Sequence, residues 1–197
     1  MADSSSSAKE KFKAGATEKG YSKRLAQAVL MVENSIRNKK DEELYVINEK
    51  GEIVDKIQGK DAGVEAGNYD QSKFENMILT HNHPRSIGET GLMRIGNSFS
   101  LADIMTAVRN NAREIRAVTP TYTFSLKRPK GGWGVSASQL SYEFKSEENN
   151  VRDRFYSHGN KHNYTNAEYQ RMSVSHYHTI VRNLANKYGW NYTKKRG

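Results

Sequence analysis

The chain has 197 residues, 36% of them hydrophobic and 27% charged, with a formal net charge of +9. This is polar for a globular protein yet far from a disordered composition, and it suffices for one ordinary domain with an appendage or for two very small ones. Cysteine is absent, which excludes disulfides, thiolate metal sites and a cysteine nucleophile.

No apolar run approaches the ~20 residues that span a bilayer, and Met1 to Lys13 lacks the apolar stretch of a secretory signal. A soluble intracellular protein with no membrane partner is therefore expected. The charge is unevenly placed. Nine Lys and Arg residues against Asp153 and Glu168 leave +7 on Val151 to Gly197 and only +2 before them. Such a region would attract a nucleic acid or an acidic protein face, or serve only as a solvated basic surface.

Residues 1–19 are rich in Ser, Lys, Glu and Gly and read as a frayed tail. Leu25, Val29, Val32 and Ile36 recur at helical spacing, which predicts a helix over Ser22 to Asn38. Leu44 to Ile47 and Ile53 to Ile57, around Asn48-Glu49-Lys50-Gly51, predict a β-hairpin. Gly59 to Gly67 reads as a loop and Asp70 to Asn76 as a short helix. Met77 to Thr80 is the apolar run of a buried strand, delivering His81 at its end.

A long glycine-containing loop (Pro84 to Phe99) leads to a helix starting near Ser100, with Leu101, Met105, Val108 and Ala112 as its apolar stripe. Ile115 to Val118 and Tyr122 to Leu126 predict two more strands, and Lys130-Gly131-Gly132 marks the end of the domain. Beyond Ser136 two helices are expected, Leu140 to Tyr156 and Asn166 to Lys187, carrying Tyr, His and Arg in place of Leu and Val.

Chemistry concentrates in Thr80-His81-Asn82-His83-Pro84 and Phe99-Ser100-Leu101-Ala102-Asp103. Alternate side chains share a strand face, so His81 and His83 point the same way, near enough to share one ion. Pro84 lacks an N–H and ends the strand directly after the second imidazole. Asp103, in the first turn of the next helix, can supply a third ligand. Two imidazoles and a carboxylate suit zinc and leave a position for water, as a hydrolytic site requires.

Plainer readings exist for each part. Ser100-x-x-Asp103 also matches a capping box, and two histidines in three residues are only mildly unusual at a surface. Capping and metal binding are compatible, however. The order of the two motifs, at the end of an apolar strand and the start of the next helix, favours a metal site.

His81-x-His83-Pro84 followed by Ser100-x-x-Asp103 resembles the signature of the JAMM (JAB/MPN) zinc metallopeptidases, an upstream Glu, then HxHP, then SxxD. The likeness covers about Ser22 to Gly134. The text around Glu114-Ile115-Arg116-Ala117-Val118 and Tyr122-Thr123-Phe124-Ser125 is also similar to JAB-like domains of bacteriophage and mobile-element proteins. The resemblance implies an α/β fold with a JAB/MPN-like (cytidine-deaminase-like) mixed sheet flanked by helices. A flexible tail (1–19), a metallopeptidase domain (20–135) and a basic, mostly helical extension (136–197) follow from it and from the composition.

It further implies zinc held by His81, His83 and Asp103, with Ser100 positioning the bound water or stabilising the oxyanion. Family members carry a Glu at the start of an early strand as general base. Glu42 and Glu43 would face opposite sides of the strand after them, so only one can reach the metal. The family spacing from the hairpin turn favours Glu42, with Glu43 close behind and Glu33 on the preceding helix as an outsider. The implied activity is zinc-dependent hydrolysis of a peptide or isopeptide bond by a metal-bound water, in the cytoplasm of a bacterial host cell or in association with a virion. Alternatives are a non-catalytic phage structural or cargo protein that keeps the fold and binds nucleic acid through its basic C-terminal region, and a nuclease. The spacer Arg85 to Phe99 is longer than in the family and contains Gly88, Gly91 and Gly96, which suggests a lid that grips substrate or occludes the site.

Two other histidine pairs carry less. His158 and His162 imitate a helical metal pair, but Gly159-Asn160 between them disfavours a helix, and His176 and His178 do not share a helix face. The C-terminal aromatics (Phe155, Tyr156, Tyr164, Tyr169, Tyr177, Tyr188, Trp190, Tyr192) interleave with Arg and Lys as in single-stranded nucleic-acid binders, or form a small aromatic core.

Overall fold

The computed structural model describes residues 20–59, 71–84, 97–166, 168–169 and 175–197. In chain order they form α1 (Lys23–Ile36), β1 (Glu43–Ile47), β2 (Ile53–Gln58), a 3-10 turn (Gln71–Phe74), β3 (Ile78–Asn82), α2 (Leu101–Arg109), β4 (Glu114–Val118), β5 (Tyr122–Lys127), α3 (Ala137–Lys161), α4 (His176–Tyr188) and β6 (Asn191–Arg196). The expected tail, the Gly59–Gly67 loop beyond Gly59 and the Arg85–Gly96 part of the long spacer lie outside the described residues.

These elements make an α/β fold around a mixed six-stranded sheet in the order β2-β1-β3-β4-β5-β6. β3 and β4 run parallel and every other neighbouring pair antiparallel. Serines start three of the helices: Ser22, Ser100 and Ser136 accept the N–H groups of Leu25, Asp103 and Gln139, satisfying donors that a helix start leaves unpaired.

Helices cover both sheet faces, which is why β3 and β4 are buried along their whole length rather than alternately. On one face α1 lays Leu25, Val29, Val32 and Ile36 over Ile47, Ile78 and Val118. On the other, Leu44, Val46, Leu79, Ile115, Ala117, Phe124 and Leu126 meet α2, α3 and α4. The apolar stripe of α2 differs from its expected register. Ile104 and Ala107 are its buried centre, and Leu101, Met105 and Val108 are only partly covered. Lying between β4 and α3, this helix is covered over a broader arc than one stripe.

The C-terminal region is helical as expected, but it is not an appendage. Leu140 and Phe144 of α3, Val181 and Leu184 of α4, and Trp190 belong to the same buried cluster as Leu79 and Phe124 of the sheet. The packing does not divide at 135/136. A sixth strand, β6, closes the sheet beside β5 where only helix was expected. Its Asn-Tyr-Thr-Lys-Lys-Arg sequence lacks the apolar alternation of a strand because, as an edge strand, most of its side chains are exposed.

α3 also runs past its expected end at Tyr156, through Gly159, to Lys161. A β-carbon at 159 would stand 2.5 Å from the Tyr169 ring, so glycine admits that ring and the contact offsets its poor helix propensity. Asn163, with φ of 52°, reverses the chain just beyond the helix.

Beneath α1 lies a buried charge cluster. The Arg116 guanidinium donates to Glu33 Oε1 at 2.5 Å and to Glu114 Oε1 at 2.7 Å. Ser125 donates to Glu114 Oε1 at 2.6 Å, the Tyr21 hydroxyl donates to Glu114 Oε2, and Lys127 stands 3.7 Å from that oxygen. Burial alone would lower the Arg116 pKa, but the two carboxylates outweigh it and hold the guanidinium charged. The cluster ties α1 to β4 and β5. Arg116→Met is expected to destabilise the fold by about 3–5 kcal/mol in urea unfolding, because two buried carboxylates lose their cation. Adding Glu33→Gln should recover part of that loss, whereas an unchanged urea midpoint in Arg116→Met would mean that the cluster does not anchor α1.

Candidate metal centre

His81 sits on β3 between β1 and β4, paired across the sheet with Leu44 on one side and Ala117 on the other. Ile78, Leu79 and Thr80 bury the strand, and strand alternation turns His81 to the α2 face. His83 follows just beyond the strand, where its N–H donates to the Val118 carbonyl at 2.9 Å. Asp103 arrives from the first turn of α2, whose start is fixed by Ser100.

The three side chains converge. His81 Nε2 and His83 Nε2 are 2.9 Å apart, His81 Nε2 lies 3.3 Å from Asp103 Oδ1, and His83 Nε2 lies 3.7 Å from Asp103 Oδ2. Ligands at zinc–nitrogen and zinc–oxygen distances on a tetrahedral ion stand about 3.3 Å from one another. The separations bracket that value. All three ligand atoms fall within 4.8 Å, and this is the only group of three or more such residues among the described residues. Two imidazoles and one carboxylate are the donor set that zinc takes in open sites, so the residues present fit the ion.

Neighbouring groups orient His83 and Asp103. His83 Nδ1 is 2.9 Å from the Asn97 carbonyl, leaving Nε2 for the centre. Asp103 Oδ2 accepts from the Ser100 N–H at 2.7 Å and from the Ser100 hydroxyl at 2.8 Å, so Oδ1 is the oxygen presented to His81. Capping box and ligand are thus the same carboxylate. The Ser100 hydroxyl is engaged with Asp103, which makes it a positioning group for that ligand.

Charge within the cluster is self-consistent. Burial would push the Asp103 carboxyl up, but His81 and then His83 hold it well below the usual carboxylate range. Burial would likewise favour neutral His81. The Asp103 carboxylate outweighs it, with help from Glu42 and the Arg116 backbone, and raises the imidazole above its ordinary pKa. Side-chain exposure of 18% at His83 and 16% at Asp103, against 2% at His81, sets the open side of the centre toward His83.

The sheet separates the three candidate bases. Glu42 precedes β1 on the face of Leu44 and His81, buried, with its charge felt at His81. Glu43 points to the other face, held by Lys39 Nζ at 2.8 Å, Lys56 Nζ at 3.2 Å and the Tyr45 hydroxyl at 3.0 Å. Glu33 is also on that face, bound to Arg116.

Asn82 was not legible as a site residue. From between the histidines it accepts the Glu43 N–H at 2.8 Å and donates to the Lys39 and Asp41 carbonyls at 3.2 and 3.0 Å, fixing the segment that carries Glu42. Only its place in the alternation hinted that it would face away from the two imidazoles. Phe99, fully buried and 6.4 Å from the His81 ring, was also missed; it walls the centre with hydrocarbon.

The remaining pairs stay apart from this centre. The helix that was expected to break between His158 and His162 is intact, and their rings stand 4.3 Å apart on the exposed end of α3. His176 packs edge-on against Phe155 at 4.3 Å, and His178 Nδ1 is 2.8 Å from the Tyr192 hydroxyl.

His81→Ala and Asp103→Ala are each expected to abolish stoichiometric zinc binding in metal analysis, while Glu43→Gln keeps it. Zinc must also displace the proton that His81 holds above its ordinary pKa. Affinity measured by calorimetry should therefore fall as pH drops below that pKa, by about tenfold per unit for one displaced proton. A flat profile from pH 8 to 6 would contradict the His81 assignment.

Comparison with known proteins gives no counterpart: no family model, no curated protein and no solved structure matches the chain.

Proposed function

We propose that this chain is a zinc-dependent hydrolase of peptide or isopeptide bonds, of the JAMM (JAB/MPN) type. The observation that carries the reading is the meeting of His81, His83 and Asp103 within 4.8 Å, with Glu42 on the same sheet face. A fold that used Ser100 and Asp103 only as a cap would have no reason to bring both imidazoles to that one carboxylate.

His81, His83 and Asp103 would hold the ion. When bound, zinc would supply a Lewis acid for the scissile carbonyl and acidify a coordinated water. Everything else falls to the chain. The Glu42 carboxylate takes the proton from the attacking water and passes it to the leaving amine, a transfer that typically contributes 10²–10⁴-fold. Ser100, through its two bonds to Asp103 Oδ2, keeps the carboxylate from turning and so preserves the open position. Phe99 and the buried end of β3 exclude water from the His81 side, which strengthens every charge interaction in the centre.

The zinc-loaded full chain is expected to cleave members of a panel of peptide and Lys-isopeptide reporters. Chelation should remove that activity, and added zinc should restore it. Glu42→Gln should keep one zinc per chain and lower turnover by about 10²-fold or more. Undiminished turnover in Glu42→Gln would overturn the base assignment. Cleavage of DNA or RNA, but of no peptide, in the same assay would overturn the substrate class.

A further inference from the structure

The far edge of the sheet carries cations on the face of the metal centre. In β6, register places Tyr192, Lys194 and Arg196 opposite Leu126, Phe124 and Tyr122. Lys194 shares one cross-strand row with His81, by way of Phe124 and Ala117. Three inter-strand steps of about 4.8 Å put it about 14 Å from the His81 position. Its ammonium lies 4.3 Å from the Tyr122 ring centroid and 5.9 Å from that of Phe124.

Arg182 stands one turn after His178 on α4. Burial first, and then the charges of Lys194 and Arg182, hold the His178 imidazole below its ordinary pKa. Among the described residues none of Lys194, Arg182 and Arg196 has a carboxylate partner, whereas Lys39, Lys56, Arg116 and Lys187 are paired with glutamates. A group of cations beside an aromatic ring, without a counter-ion, is disposed to receive an oxyanion.

We propose that Lys194, Arg182 and Arg196 form an anion-recognition edge for an acidic side chain of an extended peptide whose cleavable bond lies at His81, His83 and Asp103. The proposal rests on the hydrolase reading and adds a substrate preference to it. At about 3.3 Å per extended residue, 14 Å places the acidic position about four residues from the cleaved bond. Three cations are few for a nucleic-acid backbone, whose binding strength comes from many phosphate contacts. The aromatics that would stack bases are largely used inside the fold: Trp133 and Trp190 meet edge to face at 5.3 Å, and Tyr188 stacks on Trp190 at 5.2 Å.

The test reads binding rather than turnover. Fluorescein-labelled decapeptides with Glu, Gln or Lys four residues from a central neutral pair are titrated with zinc-loaded full-length protein by anisotropy at low salt. The Glu peptide is expected to bind about fivefold more tightly than the Gln peptide, the size of one or two exposed ion pairs. Lys194→Glu and Arg182→Glu should each reduce the preference, and Lys194→Arg should keep it. Lys195→Glu, on the opposite face of β6, should also leave it in place. Equal binding of Glu and Gln peptides, an unchanged preference in both charge-reversal variants, or tighter binding of a single-stranded oligonucleotide than of any peptide would overturn the proposal. Peptides that are bound with the Glu preference but never cut would sink only the hydrolase reading. Peptides that are cut with no Glu preference would sink only this one.

Discussion

The candidate centre depends on the pairing of β3, antiparallel to β1 on one side and parallel to β4 on the other. A strand in that position has every backbone donor and acceptor engaged, so its side chains are aimed with little freedom. His81 inherits that rigidity, and His83 keeps part of it through its bond to the Val118 carbonyl. A slip of one residue in β3 would turn both imidazoles to the α1 face and put Thr80 and Asn82 in their place. The apolar pattern prevents that slip, because Leu79 must face Ile104 and Phe124 while Ile78 meets α1. Hydrophobic burial thereby sets the aim of a polar site.

Arg116 joins the two faces of this arrangement. Its backbone pairs with Thr80, next to His81 on β3, while its side chain is locked by Glu33 and Glu114 on the α1 side. A buried ion pair contributes little net stability compared with a hydrophobic replacement, but it is unforgiving of misplacement. Holding α1 in one position over β4 therefore also holds the strand that pairs with β3 beside His81. The same economy appears at Ser100 and Asp103, where the bonds that cap α2 hold one carboxylate oxygen at Ser100 and leave the other facing His81.

Much of this was legible because local signals and tertiary demands agreed. Helical spacing in α1, the apolar run before His81 and the Ser100 cap each had one cause and appear where expected. Alternation alone said that Glu42 and Glu43 must part company, and the β1 register decides which one faces His81. Failures came where distant contacts overrode local preference. Gly159 stays helical because Tyr169 needs the space, β6 is a strand because β5 offers an open edge, and α2 is covered by α3 as well as by the sheet. None of those partners lies within ten residues of the segment it alters except Tyr169, and that contact depends on a chain reversal at Asn163.

The role of β6 explains how a centre of this kind tolerates a long spacer between its motifs. Tyr192 of β6 bonds to Ser98 at 2.7 Å and to His178 at 2.8 Å, and its ring packs at 6.3 Å from Phe99. Ser98 and Phe99 lie between Asn97, whose carbonyl orients His83, and Ser100, which holds Asp103. The segment re-entering the site is thus pinned by the C-terminal strand. Doubling a loop's length adds only about 0.6 kcal/mol of closure entropy. Spacer length can then vary at little thermodynamic cost while the ligands stay in register, provided the C-terminal layer is present. That layer, which the composition presented as a basic appendage, is part of what keeps His83 and Asp103 in place.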